Sequence, residues 1–308
     1  MRRIRPERGV TLIELVLSMV VLGIIAAVAV YFVNPLLQSG DTALRAELSD
    51  IADNAMQRIG RDVRLALPNS VRVTPAAGAP PYFVEFLAVR EAGRYRGDSG
   101  SVAGGTACDD TALTAPENDQ LTFDLPPGDT CFKTIGKLAN PASVVTTDFL
   151  VLNNYGTGFS GQNAYEASAA NRTPIDAAIT TTEANRDRVH FTSTLFARAL
   201  HDSPGKRFFV ISGPVSYVCD TVSGTITRYW NYGTGPGGTT PLVAQPTTFG
   251  SGSSALIAEN VSDCSFSYAT VGPQLGLLTL RITLRRALSG GAVETVSLYQ
   301  AIHVNNAP

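Results

Sequence analysis

The residues with the most chemistry to offer stand near the start of the chain: Gly9-Val10-Thr11-Leu12-Ile13-Glu14, with an apolar run from Leu15 to Val33 directly behind them. Glu14 is a carboxylate in a segment otherwise suited to hydrocarbon, where an unpaired charge is costly and marks a functional residue. Its most economical partner is a positive charge at the membrane edge. Scission between Gly9 and Val10 would create one, because a free α-amine is largely protonated near neutral pH. Gly9 and Val10 are therefore candidate processing residues, and Glu14 is a candidate for charge pairing.

The element that must carry these residues is a helix. From Val10 to Val33 it would be about 36 Å long, enough to span a bilayer with some tilt. Arg2, Arg3, Arg5 and Arg8, against Glu7, place the leader on the cytoplasmic side. An ordinary secretory signal is cut after its apolar core. Here that edge reads Tyr31-Phe32-Val33-Asn34-Pro35 and offers no small-residue cleavage pattern, so the apolar stretch is expected to stay on the protein. A plain membrane anchor accounts for this topology, but for neither Glu14 nor the Gly9 junction.

Pro35 and Gly40 are expected to interrupt the helix just past the membrane. The helical pattern then resumes: Leu44, Leu48, Ile51, Ala55, Ile59, Val63 and Ala66 follow steps of three and four and share one face. Asp50, Asp53, Asn54, Gln57, Arg58, Arg61 and Arg64 line much of the rest. An apolar stripe of this kind packs on the protein's own sheet or on a partner helix. Pro68 should end the helix. The expected organisation is a leader over 1–9, a membrane helix over 10–34, an amphipathic stem over 35–67 and one β-rich domain over 68–308.

Within that domain, period-2 patterns predict strands at Tyr82–Val89, Gln120–Leu125, Asp148–Leu152, Arg188–Thr192, Arg207–Ser212, Pro214–Cys219, Thr225–Trp230, Ser262–Tyr268, Leu278–Leu284 and Ala292–Ala301. Leu278, Leu280, Ile282 and Leu284 should face the core, opposite Thr279, Arg281 and Thr283. The fold class is α+β, a long N-terminal helix packed on an antiparallel sheet domain.

Formal net charge is −2, and the first nine residues contribute +3 (four Arg, one Glu), leaving −5 for the remainder. That is no electrostatic footprint for nucleic acid. The four cysteines, Cys108, Cys131, Cys219 and Cys264, all lie beyond the anchor, and an even count in an oxidising compartment suggests two disulfides. Three connectivities are possible. Cys219 and Cys264 each sit on the inward face of a strand, which favours Cys219–Cys264 and hence Cys108–Cys131. No C-x-x-C spacing is present, so no zinc or redox site is expected.

Gly9 followed by Val-Thr-Leu-Ile-Glu and a long apolar helix resembles the processing signal of type IV prepilins and of the pseudopilins of type II secretion. The stem segment Met56–Pro68 resembles the J-type minor pseudopilins. Thr194–Val210, Gly213–Cys219 and the tail Val304-Asn305-Asn306 are similar to a minor pilin of the mannose-sensitive haemagglutinin pilus, with gaps falling mainly between Gly93 and Asp187. The resemblance implies a type IV pilin-like fold and a structural role without cofactor or catalysis. It implies that a prepilin peptidase cuts between Gly9 and Val10 and methylates the new terminus. Glu14 would then pair with the Val10 amine of an adjacent subunit during assembly. The implied partners are other minor and major pilins, the peptidase and the inner-membrane assembly platform. The implied location is the bacterial inner membrane, as a single-pass protein with a periplasmic domain, and then a pilus or pseudopilus at the surface. The main alternatives are a minor pseudopilin of a secretion tip complex, or a tip adhesin that would use Tyr95, Asn153, Asn154, Tyr155, Asn163 and Tyr165 on exposed loops.

Other motifs fail on context. Gly97-Asp98-Ser99-Gly100 suggests a protease nucleophile loop, but the first histidine, His190, comes after it, and no G-x-S-x-G elbow exists. Gly233 to Gly238 fits G-x-G-x-x-G yet contains Pro236 and precedes Thr239-Thr240-Pro241 instead of a helix. His190, His201 and His303 lack metal-ligand spacing. Asp109, Asp110, Asn118 and Asp119 match no calcium loop. No enzyme activity and no metal site are expected.

Overall fold

The computed structural model describes residues 11–74, 80–97, 120–124, 126–183, 185–250, 252–270, 274–288 and 291–308. The order is α1 Leu12–Arg64, β1 Arg72–Thr74, β2 Tyr82–Arg94, β3 Arg96–Gly97, β4 Gln120–Leu121, β5 Asp129–Lys133, β6 Phe149–Leu152, β7 Arg172–Pro174, β8 Thr180–Glu183, β9 Arg186–Thr194, α2 Arg198–His201, β10 Arg207–Asp220, β11 Thr225–Trp230, β12 Ser253–Glu259, β13 Val261–Thr270, β14 Leu275–Ala287 and β15 Val293–Asn305. The fold is α+β, an N-terminal apolar helix followed by an antiparallel sheet domain, consistent with a pilin-like fold. The short β3–β4 pair is parallel.

Helix α1 runs unbroken through Pro35 and Gly40, where an interruption is expected. Proline removes one backbone hydrogen bond and mid-helix glycine costs about 1 kcal/mol, both local penalties. The stem beyond them is held by tertiary contact. Leu48, Ala52, Ala55, Met56, Ile59 and Val63 are buried against the sheets, and Leu44 and Ile51 lie at the margin. Burying a Leu, Ile or Val side chain contributes roughly 1.5–3 kcal/mol, so this stripe anchors the stem to the domain. The helix stops at Arg64, earlier than Pro68 alone implies. Leu65 and Leu67 leave the helix to exchange backbone hydrogen bonds with β2, Leu67 N–H to Leu87 O at 2.8 Å and Val89 N–H to Leu65 O at 3.0 Å.

The main sheet follows the order β1-β2-β10-β11-β12, with β6 and β7 added beside the first half of β10. A second sheet is the meander β13-β14-β15, and a third is β5-β9-β8. The stem, the main sheet and the meander share one core, which holds Ile59, Val63, Val84, Tyr217, Leu280 and Ile302. All four leucine and isoleucine positions on the inner face of β14 are buried, as the alternation predicts. A separate core, rich in phenylalanine, lies between the first half of β10 and the third sheet.

The two strands expected at Arg207–Ser212 and Pro214–Cys219 are one strand, β10. Its pairing with β2 shifts register between Val210 and Pro214. Gly213 makes this possible. Its φ is +112°, and a Cβ there would lie 2.8 Å from Thr239 Cα; only glycine fits. The irregularity lets one strand serve different cores: Phe208 and Val210 face the phenylalanine cluster, while Val215, Tyr217 and Cys219 face the stem.

Candidate functional site

Gly9 and Val10 lie outside the described residues. The site begins at Thr11, which is extended (φ −73°, ψ 149°) and caps α1. Glu14 N–H donates to Thr11 O at 3.0 Å and makes a longer contact of 3.4 Å with Thr11 Oγ1. These contacts satisfy donors that a helix start leaves open. They also fix Glu14 in the first turn, where the helix dipole favours a negative charge.

From Leu12 to Ala29 the helix has a mean hydropathy of 2.7 and none of it is buried. Leu12 is 83% exposed. By length and composition this helix can cross a membrane. Ser18 Oγ donates to Leu15 O at 2.8 Å, so its hydroxyl is satisfied within the helix. Glu14 is exposed and makes no ion pair among the described residues. The arrangement is an apolar rod without internal partners, carrying one acid at its starting end. In hydrocarbon a carboxylate is costly unless it is paired or protonated.

The lower part of α1 is fixed to the meander by ion pairs, Arg45 to Glu294 at 3.5 Å and Glu47 to Arg286 at 3.0 Å. Such exposed pairs contribute up to about 1 kcal/mol each. A stronger tie lies one stem length further on. Tyr217 Oη donates to Asp62 Oδ2 at 2.7 Å and Arg228 Nε donates to the same oxygen at 2.9 Å. Asp62 is absent from the polar face read from the sequence, and no local pattern marks it, because its partners lie some 155 residues or more away.

Cys219 and Cys264 are joined in a disulfide with a Cα–Cα distance of 6.6 Å, which staples β10 of the main sheet to β13 of the meander. Cys131 is buried on β5, while Cys108 lies outside the described residues, as do Ser99, Asp109, Asp110, Asn118 and Asp119. Among the described residues no cluster of three or more His, Cys, Asp or Glu could hold a metal.

The adhesin surface expected from the loops needs correction. Tyr95, Asn153, Asn154, Asn163 and Tyr165 are buried, and only Tyr155 is exposed. The reason is that these polar groups satisfy backbone atoms inside the domain. Tyr95 Oη donates to Asp202 at 2.9 Å and accepts from Ser203 N–H at 2.8 Å. Asn154 donates to Pro68 O at 2.7 Å and accepts from Ala164 N–H at 2.9 Å. Tyr165 Oη donates to Ser70 O at 3.0 Å. His201 is likewise structural, its Nδ1 accepting from Ala197 N–H at 2.9 Å. His190 lies on β9 and His303 on β15, apart from any candidate site.

One buried ion pair was not read from the sequence. Arg72 forks onto Glu85, Nε to Oε2 at 3.0 Å and Nη2 to Oε1 at 3.1 Å. Burial pushes the Glu85 carboxyl up to about 7, against the downward pull of Arg72.

Comparison with known families matches the chain to the prokaryotic N-terminal methylation motif over residues 4–30. The chain therefore carries a type IV prepilin-like N-terminus, and the motif spans Gly9, Val10 and Glu14. No curated protein and no solved structure matches the chain.

Proposed function

We propose that the chain is a minor pilin that helps initiate or cap assembly of a type IV pilus of the mannose-sensitive haemagglutinin kind. The observation that carries this reading is the coincidence of the methylation motif with an exposed apolar helix holding a single acid, Glu14, in its first turn. In the proposal a prepilin peptidase removes residues 1–9 and methylates the Val10 amine. Residues 10–34 then hold the chain in the inner membrane, residues 35–67 form the stem, and residues 68–308 form the periplasmic domain. Glu14 pairs with the Val10 amine of a neighbouring pilin delivered by the assembly platform. Each subunit thereby neutralises a charge that neither can bury alone. The role is structural and needs no cofactor. A Cys108–Cys131 bridge accompanies the Cys219–Cys264 bridge.

The test is Glu14→Ala. The variant should insert in the membrane at wild-type abundance yet fail to enter filaments; normal incorporation would overturn the pairing. Gly9→Val should accumulate as an uncleaved precursor.

A minor pseudopilin of a type II secretion system is the second reading, favoured by the stem segment Met56–Pro68. The neighbouring genes separate the two: a major pilin and pilus genes, or a secretin-linked operon.

A further inference from the structure

Residues 241–249, between β11 and β12, lie against the main sheet and end on Phe249, whose ring stacks on Tyr229 at 4.3 Å and meets Tyr232 edge-on at 4.8 Å. The base of this segment is fixed. Thr234 and Thr240 exchange backbone hydrogen bonds at 3.0 Å, and Thr239 Oγ1 donates to Thr147 O at 2.6 Å. The middle is held differently. Among the described residues no amide of 241–249 donates to another backbone atom. The segment is pinned instead through two carbonyls: Leu242 O accepts from Arg72 Nη2 at 3.0 Å and Val243 O accepts from Arg72 Nη1 at 2.6 Å. One side chain of β1 thus ties it down.

That side chain is shared with a buried acid. Glu85 alternates on β2 with Val84 and Phe86, which face the stem, so its side chain points to the opposite face. It is fully buried there. Its cross-strand partners are Arg72 on β1 and Ser216 on β10. The guanidinium that holds Leu242 and Val243 also forks onto the Glu85 carboxyl, and it lies 3.8 Å from the centre of the Tyr165 ring. Ser216 Oγ and Tyr232 Oη are 2.7 Å apart, which sets the Tyr232 hydroxyl beside the acid. Among the described residues, the titratable or charged groups facing Glu85 are therefore Arg72 from β1, Tyr165 from the segment after β6 and Tyr232 from the segment after β11. Burial moves both phenols further from ionisation, so the carboxyl is the group that titrates.

A charge on Glu85 is penalised while this segment, Arg72 and Tyr232 keep water from it, and the penalty is relieved when the segment lifts. We propose that residues 241–249 form a proton-operated strap, closed on the sheet while the Glu85 carboxyl holds a proton and lifting as it ionises. The sign follows from linkage. The closed carboxyl sits at about 7 and one open to water returns towards 4.5, so a rise in pH through that interval favours the open state. Lifting takes away Thr247 and Thr248, which help to wall a cleft of about 370 Å³ beside Phe83, Val218 and Tyr229. That aromatic surface is covered in acid and uncovered at and above neutral pH. The switch does not depend on filament assembly.

The test is proteolysis of the folded full chain in phospholipid nanodiscs with thermolysin, which cuts before leucine and valine. Rates at each pH are divided by those of a free peptide of residues 238–250, so that cleavage tracks the population of the open state. Cutting before Leu242 or Val243 is expected to rise at least about tenfold from pH 5.5 to pH 8, with β14 uncut. Glu85→Gln should abolish the rise and hold the rate at its acid value. Arg72→Lys, which keeps a cation but loses the planar fork, should raise cutting at both pH values. A wild-type rate indifferent to pH, a rise that survives Glu85→Gln, or an unchanged rate in Arg72→Lys would overturn the proposal. So would cutting in β14 in step with the strap, because that reports unfolding of the whole domain.

Discussion

Tyr217 on β10 and Asp62 in the last turn of α1 are joined by a 2.7 Å hydrogen bond across the interface between stem and sheet. The bond sets the rotation of the helix about its own axis, because apolar packing alone is not directional. Arg228 completes the arrangement from β11. A hydrogen bond to a charged group contributes about 1.5–3 kcal/mol. Tyr217→Phe should therefore lower unfolding free energy by about 2 kcal/mol in denaturant titration of the nanodisc-embedded chain. In a double-mutant cycle Asp62→Asn should cost less in the Tyr217→Phe background than in wild type, keeping only the part owed to Arg228; strict additivity would show that Tyr217 and Asp62 do not act together.

The Cys219–Cys264 bridge closes a loop with a sequence separation of 45. The chain-entropy account gives such a loop about 4 kcal/mol. Replacing both cysteines by alanine should lower the thermal midpoint markedly, and reductant should then have a smaller further effect than on wild type. An unchanged midpoint would mean that the shared core alone holds the two sheets together.

Glu85 gives a pH signature. Its folded carboxyl is raised to about 7 while its unfolded value stays near the ordinary 4.5. Between those values the folded chain holds the proton more tightly, so this group's contribution to stability is fully present below about 4.5. It falls as pH rises and is lost above about 7. The change amounts to about 3 kcal/mol. Buried Asp129 and Asp148, raised by burial, act in the same direction, whereas His190 and His201, lowered by burial, oppose it. The comparison with Glu85→Gln isolates the term: wild type should lose stability relative to the variant from pH 5 to pH 8. Parallel curves would refute the assignment.

Gly213→Ala should destabilise the domain by more than 1 kcal/mol. The new Cβ would meet the Thr239 backbone at 2.8 Å on a residue already in the left-handed region. A neutral outcome would show that the register shift in β10 relaxes freely.

Much of this architecture was legible in the sequence because it rests on local periodicity. Leu278, Leu280, Ile282 and Leu284 alternate without exception, and Leu48, Ile59 and Val63 keep helical spacing, so one buried face could be read from each. The inward direction of Cys219 and Cys264 followed from the same rule. The continuity of β10 was hidden because Gly213-Pro214 has the form of a break, and only its pairing with β2 on both sides makes it a bulge. The region from Gly93 to Asp187 was only partly legible, β4 and β6 being expected, for a different reason. Its strands are as short as β4 and β7, too short to show a period, and Phe123 and Phe132 join a core completed by Phe191, Phe196 and Phe208 from much later in the chain. Asn154, Asn163 and Tyr165 read as surface residues because polarity signals exposure only when no buried backbone group needs a partner.

At the candidate site the apolar helical span was readable from residue types and order. The Thr11 cap and the Arg72–Glu85 fork were not. The cap hangs on a backbone conformation, and the fork joins residues brought together by the β1–β2 pairing.

Intact-mass and N-terminal peptide analysis of the protein purified from its native membranes shows where the mature chain starts. A chain beginning at Val10, with one added methyl group on its amine and the apolar helix retained, is expected. A chain that still carries Met1 to Gly9, or one that begins beyond Ala29, would contradict it.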